Sequence, residues 1–525
     1  MLQCIHTFEE NCGKVNDGIR MCEVTMKKLI SMLLCFNFLT ASCAPAAMTG
    51  DTGSVSDNSG EADEEYVDPN SDYALWMNNA ASFLKSISIE PDGTNSNITD
   101  NSDYLAWGSS YLLHTFYRGY CATGDMAYLE QLALYLYKIF ELMADRDEDG
   151  YLNWGASYDI DGVHYPYNEY VVHTGIMVSL AGDFVSLVMG DESLQDKPAA
   201  GGMTYSELAD YFTDLAVNHA IPAFDKDWNE EIGVYMNRPG SVNYSGSDRK
   251  IALPNNQFLA MVPALLSFAR VSPEHRELYL SRAERMLQVF RDHIIYLDDG
   301  CAIWHYKNTL FKGDWGESVE DYSHAQWSMY AAVHGYSAGM VFSLEDLRAF
   351  GKTYDKRMFT GTEEDPRLTM YVNGKKSGDN GNLFLLLYDM SIYGEKFITR
   401  GKQYLTVHEQ TKGWDAPRIL AFHEETPKPR SFELTLPADN AKDVSEGTNV
   451  TDFFWQRNAY ANYYCLQIAY DPEFTQIVTE RNMILESVAS AADLPRNAKL
   501  YWRVIAKNIS GNETVSETFT FSTAK

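Results

Sequence analysis

Between Tyr73 and Leu405 the sequence alternates two kinds of helical segment, and this alternation limits the fold more than any other feature. One kind is apolar nearly all round and rich in small residues: "VVHTGIMVSLAGDFVSLV", "FLAMVPALLSFA" and "AQWSMYAAVHGYSAGM". The other is amphipathic and charged: "YSELADYFTDLAVNHA", "PEHRELYLSRAERMLQVF" and "SLEDLRAFGKTYDKRM". A helix apolar on every side is buried, and one with a charged stripe faces water. Buried helices alternating with half-exposed ones predict helical hairpins closed into a ring, an α/α toroid over residues 71–427. A helical solenoid is the alternative, but no fixed-length repeat supports it.

From Lys428 the periodicity changes. "TDFFWQ", "YYCLQIAYD", "KLYWRVIAKN" and "ETFTFSTAK" alternate in the manner of short strands between turns. Residues 428–525 are therefore expected to form a small all-β sandwich. Trp455, Tyr464, Tyr501–Val504 and the closing "FTFST" resemble a fibronectin type III-like module. The expected fold class is mainly α, a toroid followed by this sandwich.

The N-terminus reads as an export leader. "MKKLISMLLCFNFLTASC", Met26 to Cys43, has two lysines, a short apolar run and a small-residue end. The apolar run is too short to span a bilayer. Residues 1–25 do not fit ahead of a leader, so Met26, or Met21, is the expected start. The ending "LTASC" resembles a bacterial lipoprotein box with Cys43 as the lipidated residue, although Thr40 replaces the usual Leu or Val. Lipidation would tie the chain to the outer membrane, at the cell surface or in the periplasm. Cleavage near Ala44–Ala47 would instead release a secreted protein. Residues 44–70, rich in Gly, Ser, Asp and Glu, read as a disordered acidic tether. Cys121, Cys301 and Cys465 show no metal-type spacing and are expected as buried thiols.

The formal net charge of −31 argues against nucleic acid as a partner, because phosphate neutralisation needs a basic surface. No Walker loop, GxGxxG, HExxH or GxSxG is present, so the usual nucleotide enzymes, zincins and serine hydrolases are not supported. Aromatics reach 13% of residues. Trp76, Trp107, Trp154 and Trp315 can each serve as a sugar-stacking platform or as core.

Polar side chains gather where apolar helices begin. One start carries Glu169, Tyr170 and His173; a second, Asn255, Asn256 and Gln257; a third, Glu320, Asp321, Tyr322, His324 and Trp327. Glu169/His173 and Glu320/His324 share a Glu-x-x-x-His spacing, which on a helix puts both groups on one face. A carboxylate-tuned histidine is a general acid or base. Helix N-terminal capping explains the same carboxylates without catalysis. In a ring of hairpins these starts would converge on one cleft.

"YSHAQWSMYAAV" resembles the "NNHSYW" helix start of toroid polysaccharide lyases of the alginate lyase kind, with His324 and Trp327 at the matching His and Trp. Tyr322 and Ser323 stand where that motif has two asparagines. "NNQF" at Asn255–Phe258 supplies an Asn-Asn pair elsewhere. The resemblance implies β-elimination on a uronic-acid polymer, with no metal required. Asn256 and Gln257 would neutralise the substrate carboxylate. His324 or His173 would take the C5 proton, and Tyr170 or Tyr322 would protonate the leaving oxygen. Arg249 and Lys250 would add positive charge, and Asn255, Trp327 and Trp154 would contact the sugar.

Two alternatives stand beside this reading. A glycoside hydrolase would use two carboxylates among Glu169, Glu320 and Asp321. A non-catalytic surface lipoprotein would only bind the glycan. "DRDEDGYLNWG" places Asp145, Asp147 and Asp149 like the start of a Ca2+ loop, but Ala156 stands at position twelve where Glu is needed. A solvated turn fits the stretch better.

Overall fold

The computed structural model describes residues 67–87, 96–160, 162–238, 241, 252–307, 319–362, 364–375, 377–378 and 385–525. The leader, Cys43, most of the tether, Arg249, Lys250 and Trp315 lie outside the described residues. By internal packing, Val67–Ser157 belongs with Pro166–Lys525, while Tyr158–Tyr165 is grouped apart. In that short segment His164 Nδ1 lies 2.9 Å from Asp159 Oδ1.

The larger unit is built from helices α1 (Asp72–Ser86), α2 (Ser110–Thr123), α3 (Met126–Phe140), α4 (Val171–Gly190), α5 (Tyr205–Leu215), α6 (Asn255–Leu259), α7 (Met261–Val271), α8 (Arg276–Arg291), α9 (Tyr322–Ser337), α10 (Leu344–Thr353), α11 (Phe397–Val407) and α12 (Asp415–Ala421). The apolar helices α4, α7 and α9 are buried along nearly their whole length, as composition requires. Close approach is made possible by glycine: a Cβ on Gly175 of α4 would sit 2.7 Å from the Ala260 carbonyl carbon between α6 and α7. The amphipathic α5 and α10 begin at capping boxes, Thr204 with Glu207 and Ser343 with Asp346. Cys121, Cys301 and Cys465 are buried free thiols.

The toroid expectation does not hold. Among the described residues helix makes up 45% and strand 21%, with several small sheets, and no closed ring of hairpins is shown. The connections between helices hold paired strands: β1 (Gly155–Ile160) with β2 (Val163–Glu169), β3 (Trp228–Asn229) with β4 (Val234–Tyr235), β5 (Ile295–Tyr296) with β6 (Ala302–Ile303), and β7 (Phe359–Gly361) with β8 (Pro366–Thr369) and β9 (Ser377–Gly378). In these Gly-, Tyr- and Trp-rich stretches some backbone groups are paired across the strands. A π-turn at Leu105–Ser109 leads into α2, and π-turns at Ala216–Ala220 and Tyr354–Met358 continue α5 and α10 at their C-terminal ends. The fold is mixed α and β.

After α12 two sheets form. β10 (Leu434–Leu436), β12 (Val450–Trp455) and β15 (Val488–Ala492) make one. The other runs β11 (Ala441–Val444), β18 (Phe519–Thr523), β16 (Lys499–Lys507), β13 (Tyr463–Ala469) and β14 (Ile477–Ile484), with β17 (Glu513–Val515) also on β16. Phe453 and Trp455 from the first sheet share one core with Leu466, Trp502 and Phe521 from the second. This part is not separate from the helices: Arg118 of α2 is wholly buried between Asp389 and Glu486, 2.8 Å from a carboxylate oxygen of each.

Candidate functional site

Trp107 lies at the centre of an aromatic and imidazole cluster. It sits in the π-turn Leu105–Ser109, which continues directly into α2. Such turns recur at functional sites because they push a side chain out of helical register. The Trp107 ring is half-buried and meets two histidines edge-on, His173 at 6.0 Å and His324 at 6.2 Å between centroids. The structure thus brings together two histidines that lie far apart in sequence.

His324 is held by the cap of its own helix. Asp321 is the N-cap of α9, and its Oδ1 accepts from the Ser323 and His324 backbone N–H groups at 3.0 and 3.3 Å. Its Oδ2 lies 2.6 Å from His324 Nδ1. One carboxylate therefore both caps the helix and orients the imidazole. Burial opposes charge on the His324 ring, but Asp321 beside it outweighs burial and holds the ring above its ordinary value. Burial likewise works to raise Asp321, and His324 together with the Ser323 hydrogen bonds brings it below the usual carboxylate range. Among the described residues no hydrogen bond reaches His324 Nε2. The Tyr306 ring covers His324 at 4.9 Å.

His173 differs. Burial alone pushes its imidazole down to about 3, so it is neutral at ordinary pH. Its Nδ1 lies 2.9 Å from Ser102 Oγ, and the Tyr170 ring packs 5.0 Å away.

The amides of α6 face the same segment. Asn255 donates from Nδ2 to the His305 carbonyl at 2.8 Å and from its backbone to the Tyr306 carbonyl at 3.0 Å. Gln257 Nε2 reaches 3.5 Å from the Tyr306 hydroxyl. Asn256 is fully buried, and neither atom of its amide has a partner among the described residues. A buried unsatisfied amide costs about 1–3 kcal/mol. Lys307 adds a cation with Nζ 5.9 Å from the Tyr306 ring, and burial lowers its ammonium to about 8.

The helical i, i+4 pairings expected from sequence do not form, although the Glu320 charge still helps to raise His324. Glu169 ends β2 and α4 starts at Val171; Glu320 precedes α9, which starts at Tyr322. Neither glutamate is helical, so i, i+4 geometry does not apply. Glu169 lies 3.3 Å from Arg238, which also holds Asp227 at 2.8 Å and lies 3.6 Å from Asp147. Burial and the Asp147 charge push Glu169 up to about 7 against Arg238. Glu320 is wholly buried, accepting from the Trp304 indole and from Ser328 Oγ, and burial raises it to about 8.

Trp327 is buried and stacked on Tyr111 at 6.4 Å, and Trp154 is buried with its indole donating to the Ile139 carbonyl. Tyr322 and Trp76 are buried as well. Of Trp76, Trp107 and Trp154, the candidate sugar platforms among the described residues, Trp107 is the one in the histidine cluster. Ser102, Tyr306 and Lys307 lie outside the starts of the long apolar helices on which the sequence places its polar clusters. The stretch "WHYK", aromatics and a cation beside a histidine, was the available signal.

Among the described residues two groupings could hold a metal by distance. Asp145, Asp147 and Asp149 have ligand oxygens within 4.8 Å of one another. Lys226 Nζ lies 2.5 Å from Asp149 and 3.9 Å from Asp147, so cationic side chains already neutralise this turn. Asp72, His423 and Glu424 surround the Lys402 ammonium, 2.7 Å from Asp72 and 3.3 Å from His423.

No protein-family profile and no curated protein matches the chain. Among solved structures, a polysaccharide lyase aligns at a TM-score of 0.31 and 12% identity, over 66% of this chain and 98% of that one. An engineered protein aligns at a TM-score of 0.16 and 11% identity, over 66% of this chain and 81% of its own. Alignments this loose carry no argument about function.

Proposed function

We propose that the chain is a carbohydrate-active enzyme that cleaves a uronic-acid-containing polysaccharide by β-elimination. The observation that carries the reading is the Asp321–His324 dyad, sharing the edge of Trp107 with neutral His173. An imidazole whose Nδ1 is fixed by a carboxylate presents Nε2 for proton transfer. His324 takes the C5 proton, and Tyr306, ring to ring with it, protonates the leaving oxygen, with Tyr170 as the alternative beside His173. Gln257, beside the Tyr306 hydroxyl, receives the sugar carboxylate, withdrawing charge so that the C5 proton becomes acidic; Lys307 adds positive charge. Trp107 offers its ring to the sugar.

Hydrolysis by paired carboxylates has less support. Glu169 is engaged by Arg238, and Glu320 is buried against Trp304 and Ser328. The export reading of Met26–Cys43 completes the proposal, with the enzyme meeting its glycan outside the cytoplasm. The test is incubation with a panel of acidic and neutral polysaccharides, following near-ultraviolet absorbance and reducing ends together. Elimination gives both signals on an acidic glycan. Reducing ends without absorbance would mean hydrolysis, and retention of a glycan without either would mean a binding protein.

A further inference from the structure

The three rings of the site sit at the N-terminal ends of their elements. Trp107 is in the π-turn that opens α2, His173 is in the first turn of α4, and His324 is in the first turn of α9. With 20 residues in α4 and 16 in α9, the opposite ends lie about 30 and about 24 Å away. All three elements are gripped, away from the rings, by the C-terminal two-sheet module.

On α2, Tyr117 donates its hydroxyl to Glu486, and Arg118 lies 2.8 Å from the other Glu486 oxygen. On α4, Thr435 Oγ1 donates to the Gly190 carbonyl at 2.7 Å, and Gln456 Nε2 donates to Asp191 at 3.2 Å. There the module's backbone comes so close that a Cβ on Gly190 would sit 2.6 Å from the Trp455 carbonyl oxygen. On α9, Arg481 donates to the carbonyls of Tyr336 and Ser337 at 2.7 and 3.2 Å, and the Tyr336 hydroxyl donates to the Asn482 carbonyl at 2.6 Å. Last-turn carbonyls have no partner within a helix, and a cation there also meets the negative end of the helix dipole.

We propose that the C-terminal module is a positioning device for the site: Glu486, Thr435 and Arg481 set the mutual register of the elements that bring Trp107, His173 and His324 together. A spacer domain would need none of these contacts. The contacts have also been placed on the helices that carry the site rings, including the last turns of α4 and α9. The proposal rests on the geometry of the cluster and not on the reaction assigned to it.

The test uses the full chain. The ring C–H resonances of His173 and His324 are assigned from His173→Ala and His324→Ala, and Trp107→Phe supplies their positions without the indole ring current. In Arg481→Ala and Glu486→Gln, at a temperature where far-ultraviolet circular dichroism shows the fold intact, both histidines should move by at least half the wild-type to Trp107→Phe difference. Arg481→Lys should restore most of the His324 position. If Arg481→Ala does not fold, Thr435→Val, which deletes one hydrogen bond, carries the same measurement on His173. Variants that melt earlier yet leave both histidines at wild-type positions would overturn the proposal, because the module would then be structural glue. Absence of turnover on every polysaccharide would count against the lyase reading and leave this measurement standing.

Discussion

Asparagine and alanine at position 321 separate the two tasks of the Asp321 carboxylate. Alanine removes the N-cap, worth about 1 kcal/mol, and the charge-assisted hydrogen bond to His324, worth about 1.5–3 kcal/mol. The total is about 2.5–4 kcal/mol. Asparagine keeps an oxygen for the Ser323 and His324 backbone N–H groups and loses only the charged interaction, about 1.5–3 kcal/mol. The pH dependence follows from the two shifts. Asp321 is held below its ordinary range, so its contribution is present above that range and lost as pH falls through the depressed value. His324 is held above its ordinary 6.5, so its contribution is complete below that pH and lost as pH rises through the raised value. The pair therefore stabilises most between the carboxylate range and about pH 6.5. Urea unfolding followed by far-ultraviolet circular dichroism, at about pH 5.5 and about pH 9, should show the Asp321→Asn penalty shrinking at the higher pH. The alanine variant should keep a pH-independent excess of about 1 kcal/mol over asparagine. A penalty equal at both pH values, or an asparagine variant as stable as wild type, would refute the dyad.

Glu320→Gln should retain most turnover on an acidic glycan, because an amide preserves the Trp304 and Ser328 hydrogen bonds of a buried carboxyl that is raised to about 8; loss of activity without loss of fold would favour the paired-carboxylate reading. Glu169 takes up a proton more readily in the fold, with its value raised from 4.5 to about 7, so its contribution to stability falls as pH rises across that interval. Glu169→Gln should flatten the melting temperature against pH there, and a profile superimposable on wild type would contradict the assignment. Gly190→Val places a side chain against the Trp455 carbonyl, where neither backbone yields easily; it should cost about 1–3 kcal/mol in urea unfolding, and a neutral result would mean the contact is looser than described.

What could be read from the sequence was what depends on local chemistry. The burial of α4, α7 and α9 follows from helices without a polar face, and the position of Asp321 at a helix start follows from capping preference. The change of texture near Lys428 marks where strands take over. What could not be read depends on where an element begins and on contacts between distant segments. α4 starts two residues after Glu169 and α9 two residues after Glu320, which left both glutamates outside the helix, held by Arg238 and Trp304. The strands between helices are two to seven residues long, too short for alternation to distinguish them from loops. Tyr306 and Lys307 follow such a strand and reach His324 only through tertiary packing. The grip of Glu486 on Arg118 joins residues 368 positions apart, and no local pattern announces it.

Whether this cluster breaks a glycosidic bond by elimination through His324 is decided by digesting an acidic polysaccharide in heavy-oxygen water and weighing the products. Elimination adds no water: the products should carry no heavy oxygen from bond cleavage, be lighter than hydrolysis products by one water, and vanish with His324→Ala. Heavy oxygen incorporated at each cleaved bond, or undiminished products from His324→Ala, would contradict it.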